Sequence, residues 1–288
     1  MNQPTNNPII LITGATSGIG RIAAFRLAET GATVVATARN EQKGNQLISD
    51  FKRDYPNAKG KIEVLHCDLS SFMSVVDVVK IFKKKHSRID LLINNAGIFN
   101  SHLKLSNDGI EETFQVNVLS PFLLTLLLED MIISSKGRII NTSSSFHHGS
   151  INFNDIEGRK FFSGLNAYRQ SKLSEILISR IINKRIESCG AMIFCQHPGV
   201  VRTNLGKTNS PLFNVGLKLI GKSPEKGAET MIYLATAPSD ELLSGEFYAN
   251  KRIWKTKPQS NNMLLAENIY NVALSYIEPY TDKNIFLN

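Results

Sequence analysis

A four-residue apolar run, Ile9 to Ile12, leads straight into Thr13-Gly14-Ala15-Thr16-Ser17-Gly18-Ile19-Gly20, and a helical pattern follows. Glycine at Gly14, Gly18 and Gly20 permits a tight turn and lets backbone approach a ligand closely. The helix behind the loop presents free N–H groups and a partial positive charge, a natural seat for a pyrophosphate or similar anion. Three glycines alone would also suit an ordinary turn. Their place between the first strand and the first helix of a βαβ unit favours the anion cradle.

The rest of the chain repeats this rhythm. Thr33 to Thr37 reads as a second strand, followed by a polar helix from Glu41 to Tyr55 that Pro56 stops. Ile62 to His66, Asp90 to Ile93, Arg138 to Thr142 and Met192 to Cys195 read as further strands. Helical spacing covers Ser71 to His86, Asn107 to Ser134 and Asn262 to Ile277. Continuous apolar strands separated by helices predict a parallel sheet buried on both faces. With right-handed crossovers this is an α/β, Rossmann-type, doubly wound fold of about seven strands. Phe146 to Asn166 and Arg202 to Lys222 break the pattern and are longer than ordinary connections, as binding loops are. We expect a flexible N-terminus over residues 1–7 and one domain over 8–288.

Composition narrows the function classes. With 42% apolar and 20% charged residues, the chain is neither collagen-like nor disordered. The net charge of +8 is spread along the chain, and its densest run, Lys83-Lys84-Lys85, reads as a solvated helix face. We therefore expect no nucleic-acid partner. Three scattered cysteines suit a reducing compartment. Met1 to Asn7 lacks the basic and apolar regions of a signal peptide, and Val118 to Leu128 is shorter than a membrane span. A cytoplasmic location without a membrane span is the expectation. His147-His148 has no third ligand at metal-binding spacing, so no metal is expected.

The spacing Gly-x-x-x-Gly-x-Gly departs from the Gly-x-Gly-x-x-Gly fingerprint and resembles the nucleotide loop of the short-chain dehydrogenase/reductase family. Further segments resemble family motifs in order: Asp68-Leu69, Asn94-Asn95-Ala96-Gly97, and Pro198-Gly199 with Val201 and Thr203. The likeness spans about residues 8 to 250. It implies that Gly14, Thr16, Ser17, Gly18, Ile19 and Gly20 cradle a dinucleotide and that Asp68 and Leu69 contact adenine. It further implies that Asn95, Ala96 and Gly97 support the cofactor and that Pro198, Gly199, Val201 and Thr203 hold its nicotinamide side. After the second strand comes Arg39, where an NAD-binding fold places a carboxylate for the ribose 2′-OH. A guanidinium grips a phosphate through paired charge-assisted bonds, which points to NADP (NADPH).

Tyr168 and Lys172 lie four residues apart, on one face of a helix. Tyr55 and Lys59 share that spacing, but Pro56 puts them at a helix end. Delivering a hydride to a carbonyl builds negative charge on oxygen, so an acid must supply a proton. A free tyrosine holds its proton up to about pH 10, and a nearby ammonium favours the phenolate. The resemblance makes Tyr168 the acid/base and Lys172 its helper and a ribose ligand. It also selects Ser144 to orient the substrate oxygen and Asn117 to support a water relay. By spacing alone Ser143 and Ser145 remain open.

Ser143 to His148 and Gly245-Glu246-Phe247-Tyr248 are most similar to the retinol dehydrogenase branch, which includes the WW-domain-containing oxidoreductase. The expectation is thus an NADP-dependent oxidoreductase interconverting an alcohol and a carbonyl. The resemblance implies that residues 202–222 form a mobile lid over the substrate, and their apolar side chains suit an apolar substrate such as a retinoid or a medium-chain aldehyde. The alternative is a non-catalytic NADP(H)-sensing protein with the same fold. A small-molecule substrate is the expected partner, and a homo-oligomer is compatible.

Overall fold

The structure, a computed structural model, describes residues 7–201 and 222–281. Thr203, most of the apolar loop from Arg202 to Lys222, and the N-terminal run before residue 7 lie outside the described residues.

Eight strands form one sheet: β1 (Ile9–Ile12), β2 (Thr33–Ala38), β3 (Lys61–His66), β4 (Leu91–Asn94), β5 (Arg138–Thr142), β6 (Met192–His197), β7 (Phe247–Ala249) and β8 (Arg252–Ile253). Their order is β3-β2-β1-β4-β5-β6-β7-β8. All neighbouring pairs are parallel except β7 with β8. Strands β7 and β8 were not placed by the sequence reading, because three and two residues are too short for an apolar run to mark them. Strand β6 runs to His197, past the expected Cys195, because β7 pairs with it as far as His197 opposite Ala249.

Among the described residues seven helices cover the sheet: α1 (Gly18–Glu29), α2 (Glu41–Asp54), α3 (Phe72–Lys85), α4 (Glu112–Ser134), α5 (Gly164–Ile186), α6 (Pro224–Thr236) and α7 (Met263–Ile277). Alternate strand residues feed two cores. Leu11, Val35, Leu92 and Ile139 pack with α3, α4, α5 and α7. Ile10, Ile12, Val34 and Ile140 pack with α1, α2 and α6. Burial of strand residues on both faces is what a parallel sheet requires.

Helix α4 begins at Glu112, five residues later than the expected Asn107. Gly109 takes φ +76° and Leu105 bridges Glu111, so the chain turns there, while Asp108 accepts from the Phe72 N–H at the start of α3. Glu111 then caps the helix by accepting from Thr113 and Phe114. Within α4, Gln115–Leu119 is a π-helical turn just before Pro121. Proline has no N–H for the Asn117 carbonyl four residues back, and the π turn accommodates that break. The helix is long and apolar enough to cross a membrane, but 78% of its most apolar window is buried in the core. Helix α5 starts at Gly164, capped by Ser163, so the expected loop to Asn166 ends sooner.

Helix α7 shows which apolar positions matter. Ile269 is fully buried, whereas Leu264 is 68% exposed. Ile269→Ala should lower the free energy of unfolding by about 2–5 kcal/mol, and Leu264→Ala should change it by no more than about 0.5 kcal/mol. Urea denaturation reads both, and equal losses would contradict this packing.

Candidate active site

The six segments singled out for ligand chemistry follow β1 to β6 and leave the same edge of the sheet. Ile12 lies opposite Ile93, Ile93 opposite Ile140, and Asn141 opposite Cys195. In open α/β sheets ligands bind beyond the carboxyl ends of the strands, where strand order reverses. Here the reversal lies between β1 and β4.

The glycine loop is bolted to β4 at that point. The Thr13 hydroxyl accepts from the N–H groups of Asn95 and Ala96, each at 3.0 Å. The Asn95 amide donates to the carbonyls of Thr13 and Gly14 at 3.0 and 3.1 Å. A Cβ on Gly14 would meet Ala96 Cα at 2.7 Å, and one on Gly20 would collide with Asn95 Nδ2 and the Gly14 carbonyl. Gly14 also takes φ +68° and Gly18 +57°. Among the described residues the six other helices close their N-termini with side chains. Helix α1, behind Ser17, has no side-chain cap and no acid in its first turn. Its N–H groups are left for an anion, so these residues fit the pyrophosphate of a dinucleotide.

Arg39, just past β2, is exposed and makes no hydrogen bond or ion pair with a described residue. Asp68 accepts from the N–H and hydroxyl of Ser70, and the Leu69 carbonyl accepts from Ser120. Past β6, Gly199 takes φ +87°. The Val201 side chain is buried against Gly227, so only its backbone is left to face a ligand.

The polar cluster forms where β5, α4 and α5 meet. Lys172 is 3% exposed, and its ammonium donates to the Thr142 carbonyl at 3.0 Å and to Glu175 Oε1 at 2.8 Å. It also stands 5.6 Å from the centre of the Tyr168 ring. Asn117 is fully buried: its Oδ1 accepts from the Ile98 N–H, and its Nδ2 donates to the Ile98 carbonyl and Ser171 Oγ. Gly97 brings backbone beside both, since a Cβ there would touch Asn117 Oδ1 and Lys172 Nζ. Tyr168 is half-buried, with Phe99 set edge-on at 5.8 Å, and its hydroxyl bonds to no described residue.

The three serines after β5 differ in what is left of their hydroxyls. Ser143 is buried and donates to the Lys172 carbonyl at 3.0 Å, and Ser145 is exposed. Ser144 Oγ accepts from the Phe146 N–H at 3.2 Å, which leaves its hydrogen free to donate. Glu175, Lys172's partner, belongs to no motif and was missed by sequence reasoning. Its only signal was the spacing of three residues from Lys172. His147 and His197 are buried as well. Burial pushes both imidazoles down, His197 to about 4, so they are neutral near pH 7. Among the described residues no group of three or more His, Cys, Asp or Glu is arranged to hold a metal.

A model of the family described as short chain dehydrogenase matches residues 8–211. The chain belongs to that family. It is an oxidoreductase that acts on CH–OH groups with a nicotinamide dinucleotide. Human retinol dehydrogenase 14 is 34% identical over 283 residues, covering 92% of this chain and 84% of its own. Human retinol dehydrogenase 12 is 36% identical over 271 residues with the same coverage. A solved structure of an uncharacterized protein from Mycobacterium paratuberculosis superposes with a TM-score of 0.75 at 27% identity, covering 94% of this chain and 93% of that one.

In this short-chain dehydrogenase the Thr13 hydroxyl serves two backbone donors. Thr13→Val keeps the shape and strands both, which should cost about 1–3 kcal/mol of stability in all, given that the site is only partly buried. Chemical denaturation checks it, and an unchanged midpoint would show that the hydroxyl does not hold the loop to β4.

Proposed function

We propose that the protein is an NADP-dependent oxidoreductase that interconverts an alcohol and a carbonyl on an apolar small molecule. The observation that carries this reading is a Tyr168 hydroxyl with no hydrogen-bond partner among the described residues, on a ring 5.6 Å from the ammonium of a buried Lys172. A protein that only sensed the nucleotide would have no use for a proton donor there.

The bound nicotinamide supplies or accepts the hydride. Ser144 donates a hydrogen bond to the substrate oxygen and polarises it. Tyr168 gives that oxygen its phenolic proton as charge builds, and takes it back in the reverse direction. The Lys172 ammonium favours the phenolate and offers a donor to a ribose hydroxyl. Asn117 clamps the Ile98 backbone to α5 through Ser171 and so fixes the backbone that would support a water relay towards Lys172. Arg39, exposed just past β2, would hold a 2′-phosphate, which suits a guanidinium better than a hydroxyl does. Gly14, Thr16, Ser17, Gly18, Ile19 and Gly20 hold the pyrophosphate. Asp68 and Leu69 take the adenine, Asn95, Ala96 and Gly97 support the cofactor, and Pro198, Gly199, Val201 and Thr203 take the nicotinamide side.

An apolar substrate is supported by the segment joining β5 to α5, which exposes Phe146, Phe153 and Phe161, the last at 92%. Such exposed side chains, lying between Ser144 and Tyr168 in the chain, suit a lipid-like carbonyl. The names of the retinol dehydrogenase relatives agree with that class. Cys67, Cys189 and Cys195 are all free thiols, in keeping with a cytoplasmic location.

Turnover of NADPH with an aldehyde series should rise with chain length, by about 0.8 kcal/mol per buried methylene in kcat/KM. Tyr168→Phe should lower kcat by about 10²-fold or more while cofactor binding persists. A flat series would refute the substrate class, and near-full activity of the variant would refute the chemistry. Arg39→Asp should weaken NADPH and shift preference towards NADH, as fluorescence titration would show. Equal binding of the two cofactors by the unaltered protein would contradict the role of Arg39.

A further inference from the structure

Helix α5 sets Tyr168, Lys172 and Glu175 at i, i+4 and i+7, along one stripe facing the sheet. The proposed chemistry uses the first two. Glu175 is the third, with a side chain only 9% exposed and Lys172's 4% exposed. A carboxyl buried against a sheet is costly unless it is paired or neutral. One oxygen, Oε1, accepts from Lys172 at 2.8 Å. The other, Oε2, finds no hydrogen-bond partner among the described residues, nor does the nearby Asn94 Oδ1. Both residues line a cavity of about 20 Å³ with Asn117, Asn141 and Ser179, large enough for one water.

The surroundings contain little other charge. Asn94 comes from β4, Asn117 from α4, and Asn141 and Ser143 from β5 and the turn after it; none of these ionises. Strand β6 contributes Cys195, whose thiol burial pushes up to about 12, so it stays neutral. Arg180, further along α5, is directed away, to the Ser260 carbonyl and Asn261. Among the described residues Lys172 is left as the charged group facing the carboxyl. Burial raises Glu175 to about 7 against the opposing pull of the Lys172 ammonium. Burial opposes the charge of Lys172, but the Glu175 and Tyr168 charges outweigh it and raise the ammonium above the ordinary lysine range.

We propose that Glu175 is a positioning residue for proton transfer: its carboxyl holds Lys172 against the end of β5 and sets how much of the lysine's charge reaches Tyr168. This rests on the reading of Tyr168 and Lys172 given above. When Glu175 is ionised, the pair is nearly neutral and the ammonium supports the phenolate weakly. When the carboxyl takes up a proton, that charge is unopposed. Burial pushes the Glu175 carboxyl up, and its contact with Lys172 is the route by which it acts on the acid/base.

The test is Glu175→Gln, which keeps the shape and cannot ionise. Phenolate is the base in alcohol oxidation, so the rising limb of kcat against pH should move about one unit towards acid, by Coulomb's law at an effective dielectric constant near 20. The Kd for NADPH should stay within about twofold, because Lys172 keeps its place on the Thr142 carbonyl. An unshifted limb, with or without a fall in Tm, overturns the proposal. A second measurement needs no variant, substrate or cofactor: ¹³C titration of the assigned Glu175 carboxyl in the unaltered protein. Titration near 7 is expected. Titration within a unit of the ordinary value of about 4.3 overturns the proposal. Since this reads the pair in the unliganded protein, a failed substrate panel and a failed Glu175 titration are separate results.

Discussion

The whole ligand-binding edge depends on how the loop after β1 is tied to the loop after β4. Strand order reverses between these two strands, so helices leave the sheet on opposite faces and a crevice opens above them. Thr13 and Asn95 close the base of that crevice with four hydrogen bonds. Gly14 and Gly20 make the approach possible, since a side chain at either position would strike the β4 loop. Register carries this geometry outward, so that Arg39, Asp68, Ser144 and Pro198 leave their strands at matching heights.

Helix α5 is the second organising element. It supplies Tyr168, Lys172 and Glu175 from successive turns, and its backbone carbonyl at Lys172 receives Ser143 from the end of β5. Helix position and strand end are thereby locked to each other. A buried ammonium without a partner would cost several kcal/mol, and the carboxylate at 2.8 Å offsets that cost within the same helix. Asn117 does the equivalent for α4, joining the Gly97–Ile98 backbone to Ser171 at a helical turn already loosened before Pro121.

Most of the fold was legible because its signals are local. Apolar strands, helical spacing and the glycine loop each act within a few residues. The misses were contacts across the chain. Helix α4 starts late because Asp108 is drawn to the start of α3, 36 residues away. Strand β8 exists only because β7 lies beside it. Ser144 was distinguishable from Ser143 by family likeness alone until α5 claimed the Ser143 hydroxyl.

The sequence by itself determined the doubly wound order of elements, the anion cradle at α1, and the Tyr168–Lys172 spacing, because periodicity, glycine and helical geometry are written in neighbouring residues. Only the tertiary structure decided which hydroxyls and charges remain available. Ser143 is spent on α5, the Val201 side chain is lost to the core, and Glu175 is paired with Lys172. Each of those outcomes depends on which groups are removed from water together, and burial is a property of the packed chain that no local stretch of residues contains.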